Sequence, residues 1–262
     1  MTSIAITGAA GRMGTRLISL ARESGVFSIV GAIERPESTL LDKDAGEVAG
    51  VGVIGLPITF DLRPTPQVLI DFSHPYATRH WLKVCRDRGI AMVIGTTGLH
   101  QVDHAAIDVA AETIPVLQAG NMSLGVNLLL KIVADVARKL GDDYDIEILE
   151  GHHRFKKDAP SGTAAALADA ILKSTSKGKD QLVFGRHGDE VPRQRGTIGM
   201  HSLRMGDEIG LHTVHFASIG ERIEFTHHAT NRDVFAHGAL KAAAWLAGQK
   251  PGRYTIADML GL

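Results

Sequence analysis

The stretch SIAITGAAGRMG, residues 3–14, decides the fold. SIAIT (3–7) reads as a buried strand, and the glycine-rich turn after it runs directly into a helical pattern at 12–23. The turn Gly8-Ala9-Ala10-Gly11-Arg12-Met13-Gly14 has the spacing G-x-x-G-x-x-G, a variant of the dinucleotide-binding fingerprint. In that reading Gly8 permits the tight turn, Gly11 lets the backbone approach a pyrophosphate, and Gly14 lets the helix lie close to the sheet. The helix N-terminus then offers N–H groups and the positive end of its dipole to the phosphates. An ordinary βα turn can use the same glycines, so the loop alone does not decide the ligand.

Outward from this turn, short apolar runs alternate with helical patterns. Strands are expected at 28–33, 68–72, 91–95 and 114–118, with helices at 76–88 and 101–112. Repeated β-α-β units predict a parallel sheet covered on both faces, a Rossmann-type α/β domain. Glu34 stands twenty positions after Gly14, at the end of the second strand, where an acidic side chain takes the adenosine ribose hydroxyls. Arg35 follows it, and a guanidinium there can pair with a 2′-phosphate. Together they predict use of either NADH or NADPH. Gly95-Thr96-Thr97-Gly98 and Ala119-Gly120-Asn121-Met122 close two further strands at the edge where such sheets bind ligands.

A helical pattern at 123–140 is followed by a change of grammar. YDIEILEGHH, GTIGMHSLRM, LHTVHFASI and ERIEFTHH alternate with period two between Gly/Asp turns, and one helix interrupts them at about 161–174. The chain is therefore expected to hold a dinucleotide-binding domain at 1–123, with 233–262 returning to it, and a second α+β domain at 124–232 with a mixed open sheet.

The 262 residues and 28.0 kDa suit one or two domains. With 28 basic and 29 acidic residues the net charge is −1, unlike the basic domains that bind nucleic acid. No apolar run approaches the roughly 18 residues of a membrane span, and the first residues lack a signal-peptide pattern. The single cysteine, Cys85, fits a reducing compartment and reads as a packed hydrophobe within a helix. A cytoplasmic protein with a small-molecule substrate is expected.

The most specific stretch is Glu150-Gly151-His152-His153-Arg154-Phe155-Lys156-Lys157-Asp158-Ala159-Pro160-Ser161-Gly162-Thr163-Ala164. Adjacent histidines at a strand end point opposite ways and so do different work. Ser161 or Thr163 can cap the next helix, whose N-terminus with Lys156 nearby makes an anion site beside an acid/base group. Thirteen histidines raise the question of metal, but neither an H-E-x-x-H motif nor a spaced histidine-carboxylate set is present, and no metal site is expected. His212, His215, His227 and His228 alternate within strands and read as structural or exposed.

GAAGRMG, the Ile33-Glu34-Arg35 junction, Asp71-Phe72-Ser73, GTTG and above all E-x-H-H-R-x-K-x-D-A-P-S-G-T-A resemble the 4-hydroxy-tetrahydrodipicolinate (dihydrodipicolinate) reductase family from end to end. The resemblance implies NAD(P)H-dependent reduction in diaminopimelate and lysine biosynthesis, in a cytosolic homotetramer assembled through the second domain's sheet. It implies His152 as acid/base group, Lys156 as proton donor, and His153, Ser161, Gly162 and Thr163 as substrate contacts. Gly8 through Met13, Glu34, Arg35, Gly95, Thr96, Thr97 and Ala119 through Met122 match cofactor contacts. His74 departs from the arginine of some members, and Phe155 fills a variable slot. Either Lys156 or protonated His152 would deliver the proton to ring C3 after hydride addition at C4, with Lys156 preferred. The alternatives are a non-catalytic NAD(P) sensor on the same fold and a two-domain dehydrogenase for another amino-acid-like substrate.

Overall fold

The computed structural model describes all 262 residues. The chain divides into two compact units, Met1–Ser123 with Asp233–Gly261, and Leu124–Arg232 with the last residue. In the first unit the elements run β1 (Thr2–Thr7), α1 (Arg12–Ser24), β2 (Phe27–Ile33), α2 (Ala45–Val48), β3 (Ile58–Thr59), β4 (Val68–Asp71), α3 (Pro75–Arg88), β5 (Ala91–Ile94), α4 (Gln101–Ala111) and β6 (Pro115–Gln118). The second unit contributes α5 (Leu124–Leu140), β7 (Asp145–His152), α6 (Gly162–Thr175), β8 (Leu182–Phe184), β9 (Ile198–Arg204), β10 (Gly210–Ser218) and β11 (Glu221–Ala229). The chain ends in the first unit with α7 (Asp233–Leu246), β12 (Gly252–Tyr254) and α8 (Ile256–Leu260).

The first unit's seven strands are all parallel, in the order β12-β6-β5-β4-β1-β2-β3. The order reverses between β1 and β4, so a crevice opens there beyond the strand ends. The central strands are mostly apolar because helices cover both faces, with Thr7 and Asp71 as buried polar residues at the ends of β1 and β4. On one side Leu69 and Met92 meet Trp81, Leu82 and Cys85 of α3 and Ile107 of α4. Burial raises the Cys85 thiol far above its usual pKa, so it packs as a neutral hydrophobe. On the other side α7 lies against α1 and the central strands. Gly238 lets α7 come down on the Met122 turn, since a Cβ at that position would stand 1.8 Å from the Met122 carbonyl oxygen. An ion pair from Arg16 Nε to Asp233 Oδ1 at 2.7 Å ties the two helices at one end.

The second unit's sheet has the order β11-β10-β7-β9-β8, with antiparallel pairs at β11–β10–β7 and parallel pairs at β7–β9–β8. Alternation along β7 puts Ile146, Ile148, Glu150 and His152 on one face. The first two join Ile198, Met200, Val214 and Phe216 in a core closed by α5 and α6. Neither helix covers the opposite face, where Glu147 meets Arg186 Nη1 at 3.0 Å and His201 Nε2 at 2.7 Å. The sheet is mixed and open, as the alternating patterns indicate. The short elements α2, β3, β8, β12 and α8 are additions of the structure.

Candidate active site

The Gly8 turn carries its requirements in its geometry. Gly8 has φ +68°, and a Cβ there would lie 2.5 Å from the Phe72 carbonyl oxygen. At Gly14 a Cβ would come within 2.1 Å of the Gly8 carbonyl oxygen. Gly11 is the N-cap of α1 and supplies no side chain, and no acidic residue occupies the first turn, so this positive helix end has no internal anion. Glu34 Oε1 reaches the Ala10 N–H at 3.4 Å, which brings the end of β2 to the loop. A cleft of about 670 Å³ opens here, lined by Gly8, Gly11, Glu34, Arg35, Phe72 and His74 among others. Tyr76 and Phe60, both exposed, flank it.

The remaining cofactor candidates divide by orientation. Arg12 and Thr97 are exposed, Met13 and Asn121 half-buried, while Ala9, Thr96 and Met122 are buried. Any ligand contact from those three would come through the backbone. Thr96 Oγ1 is already engaged: it donates to Asp71 Oδ2 at 2.9 Å and accepts the Ser73 N–H at 3.0 Å. Ala119 and Gly120 continue β6 into the turn where Asn121 Oδ1 accepts the Ser123 N–H at 2.9 Å. Gly95 lies under the Phe72 ring, whose Cζ would be 2.3 Å from a Cβ.

Asp71 organises this edge, a role no spacing announces. It is fully buried and accepts hydroxyls from Thr7 (2.5 Å), Ser73 (2.5 Å) and Thr78 (2.6 Å) as well as Thr96. One carboxylate thus joins the ends of β1, β4 and β5 and the start of α3. The residues fit a dinucleotide: a bare helix N-terminus, glycines where side chains cannot stand, and a carboxylate at the end of β2.

The second unit assembles the histidine-lysine loop. Glu150 and His152 face the same way two residues apart on β7, and His152 Nδ1 lies 2.5 Å from Glu150 Oε2. Arg204, register partner of His152 on β9, places Nη2 2.9 Å from Glu150 Oε1 and 2.5 Å from the Asp158 carbonyl oxygen. Lys156 Nζ pairs with Asp158 Oδ1 at 2.9 Å. An unbroken chain of polar contacts therefore runs from His152 to the lysine's loop. His153 turns aside from His152, with its Nδ1 buried and without a hydrogen-bond partner. Ser161, not Thr163, is the N-cap of α6, accepting the Ala164 N–H at 3.2 Å, and space is open beside Gly162.

His212, which the sequence reads as structural or exposed, is buried at 3% exposure in the register that sets it opposite Glu150. Its Nε2 meets Ser161 Oγ at 3.1 Å, and its ring stands edge-on to His152 with centroids 5.2 Å apart. Burial lowers the His152 pKa, and the Glu150 hydrogen bond only partly offsets this. Burial also holds Glu150 back from ionising, but hydrogen bonds from Arg204, Ser202 and His152 outweigh it and leave its pKa below the usual range. For His212, burial and then the charge of His152 push the pKa to about 4.

The His212 shift has a consequence for stability. Between pH 6.5 and about 4 the unfolded chain binds the His212 proton and the folded chain does not. Stability therefore falls as the pH drops through that window, by about 3 kcal/mol from this residue alone. Urea midpoints of wild type and His212→Gln across pH 4–7 test it: the variant should show the shallower slope, and equal slopes would remove His212 as the cause.

Two family descriptions cover nearly the whole chain: dihydrodipicolinate reductase, N-terminus, over residues 2–122, and dihydrodipicolinate reductase, C-terminus, over residues 125–260. The chain belongs to the dihydrodipicolinate reductase family. A 4-hydroxy-tetrahydrodipicolinate reductase of Alkalilimnicola ehrlichii is 51% identical, covering 100% of this chain and 99% of its own length. One from Acinetobacter baumannii is 47% identical over 99% and 96%. Among solved structures, dipicolinate-bound dihydrodipicolinate reductase from Paenisporosarcina sp. TG-14 shares the fold with a TM-score of 0.79 at 22% identity, over 99% of both chains. An amine dehydrogenase from Mycobacterium smegmatis shares it with a TM-score of 0.61 at 12% identity, covering 97% and 95%. As a member of this reductase family the chain is an oxidoreductase with a nicotinamide-dinucleotide-binding Rossmann unit. No helix is long and apolar enough to cross a membrane.

Proposed function

We propose that the chain reduces 4-hydroxy-tetrahydrodipicolinate to tetrahydrodipicolinate with NADH or NADPH, in diaminopimelate and lysine biosynthesis, and that His152 and Lys156 manage the proton. The observation that carries this reading is the Lys156–Asp158–Arg204–Glu150–His152 contact chain beside the open N-terminus of α6. Such a site suits a dianion next to an acid/base pair.

A bound nicotinamide dinucleotide supplies a hydride to ring C4 of the substrate. Ser161, Gly162 and Thr163 present the positive end of α6 to one carboxylate. His153, whose Nδ1 is buried without a hydrogen-bond partner, is the further substrate contact of this reading. The 4-hydroxyl first leaves as water, with a proton lost from the neighbouring ring carbon, to give a conjugated imine; hydride added at C4 then leaves negative charge at C3, which Lys156 relieves by giving its proton there. His152, kept neutral by burial near pH 7, serves as proton acceptor and relay rather than as the first acid. In the first unit Gly8 through Met13 hold the pyrophosphate, and Glu34 and Arg35 take the ribose side. Gly95 through Thr97 and Ala119 through Met122 line the path toward the nicotinamide.

Purified chain should oxidise NADH or NADPH only when supplied with the product of the preceding synthase. Cofactor binding without turnover would favour a sensor, and turnover of aspartate- or homoserine-type compounds would favour another dehydrogenase. Glu34→Ala should weaken NADH more than NADPH, because a 2′-hydroxyl contact is lost while repulsion of a 2′-phosphate is relieved. Equal losses in the two dissociation constants would refute the ribose assignment.

A homotetramer in the cytoplasm completes the proposal. The uncovered face of the second sheet, with Leu203 and Met205 at 40% and 44% exposure, is the surface through which copies would pair. Light scattering should give four times the chain mass; a monomer would contradict it.

A further inference from the structure

Glu150 is the one fully buried carboxylate of the second unit, 1% exposed, and it sits against His152. We propose that Glu150 is a positioning residue: it takes the Nδ1–H of His152 and so keeps the lone pair of the neutral ring on Nε2, with Arg204 holding Glu150 and the lysine loop in one clamp. The proposal deepens the functional reading above and rests on it for the part His152 plays.

An ionised carboxylate only accepts hydrogen bonds. Arg204 Nη2 forms an ion pair with Glu150 Oε1 at 2.9 Å, which favours the charged form. His152 Nδ1, 2.5 Å away, must then carry a hydrogen, and in a neutral imidazole Nε2 is bare. The structure leaves that nitrogen room. Gly210 lies beside it, and a Cβ there would approach to 3.3 Å. The other charged or titratable groups around the ring are Lys156 and Asp158 from the loop, Arg204 from β9, His212 from β10 and, behind it, His227 from β11. None competes for Nδ1. Arg204 also donates to the Asp158 carbonyl oxygen, and Asp158 holds Lys156, so displacement of Glu150 would disturb both halves of the proton machinery.

Two measurements on the full chain test this. The first needs no variant at position 150: ¹⁵N-histidine NMR at pH 7–8, with the His152 signals assigned by their loss in His152→Gln. Neutral His152 should show a protonated Nδ1 and a bare Nε2; the reverse tautomer overturns the proposal whatever His152 does in catalysis. The second is kinetic. Glu150→Gln should lower kcat by about 10- to 100-fold with substrate KM and cofactor affinity changed less than about threefold, the usual size for a supporting partner of a working histidine. Its acidic kcat limb should move to lower pH, because the carboxylate no longer favours the imidazolium, and Glu150→Asp should recover part of the rate. An unchanged kcat and pH profile in Glu150→Gln overturns the positioning role. His152→Ala separates the two readings: full activity there removes His152 from the reaction, while the tautomer assignment still stands or falls by the spectrum.

Discussion

Lys156→Ala is expected to lower kcat by about 10²–10⁴-fold, the range for loss of a general acid, while leaving cofactor affinity as in wild type. The Lys156 side chain is 21% exposed and its ammonium is paired with Asp158 at 2.9 Å, in a turn where the Lys156 N–H donates to the His153 carbonyl oxygen at 3.1 Å. It is held in the loop that joins His152 to the start of α6. Burial lowers the His152 pKa and favours its neutral ring, so the proposed mechanism assigns the proton to Lys156. Lys156→Arg distinguishes a proton donor from a fixed charge, because a guanidinium keeps the charge but does not give up its proton. The arginine variant should remain close to the alanine variant in kcat. Stopped-flow or steady-state kinetics near the wild-type rate in the alanine variant would remove Lys156 from the chemistry.

Gly14→Ala is expected to weaken cofactor binding by about 10²-fold, the cost of shifting binding groups by roughly an ångström. The added methyl would lie 2.1 Å from the Gly8 carbonyl oxygen and 2.6 Å from Ala9 Cα. Both are backbone atoms, so the methyl cannot be relieved by a side chain swinging away. The start of α1 must move off the loop to which the proposal assigns the pyrophosphate. Overpacking of this kind also costs about 1–3 kcal/mol of stability, which a urea melt reads separately. Calorimetric titration with NADH and NADPH should show the loss for both, since the pyrophosphate is common to them. A folded variant that binds either one as wild type does would mean that the loop is an ordinary βα turn.

How much of this could be read in advance depended on the length of the pattern and on pairing. The first unit's long strands and helices were legible because apolar runs of four to seven residues alternate with amphipathic helices, as in β4 followed by α3. Gly252–Tyr254 adds a parallel strand at the sheet edge beside Pro115–Gln118, but three residues carry no period. The same holds for Ile58–Thr59 and Leu182–Phe184. In the second unit the alternation showed an open mixed sheet, yet not which strands are neighbours. That pairing sets Arg204 across from His152 and His212 across from Glu150, residues more than fifty positions apart in the chain. His212 therefore read as one of several alternating histidines, and Arg204 gave no signal at all. Asp71 stood in a recognisable Asp71-Phe72-Ser73 segment, but its four hydroxyl partners come from three strand ends and a helix that only folding brings together.

The claim on which the account turns is that a cyclic dicarboxylate is gripped at the N-terminus of α6, beside His152, His153 and Lys156. A crystal structure of the chain with pyridine-2,6-dicarboxylate and a reduced nicotinamide dinucleotide tests it directly. One carboxylate should lie on the Ser161–Gly162–Thr163 turn with the ring next to the two histidines and the lysine. A dicarboxylate bound in full elsewhere, with that turn and Lys156 untouched, would contradict the account.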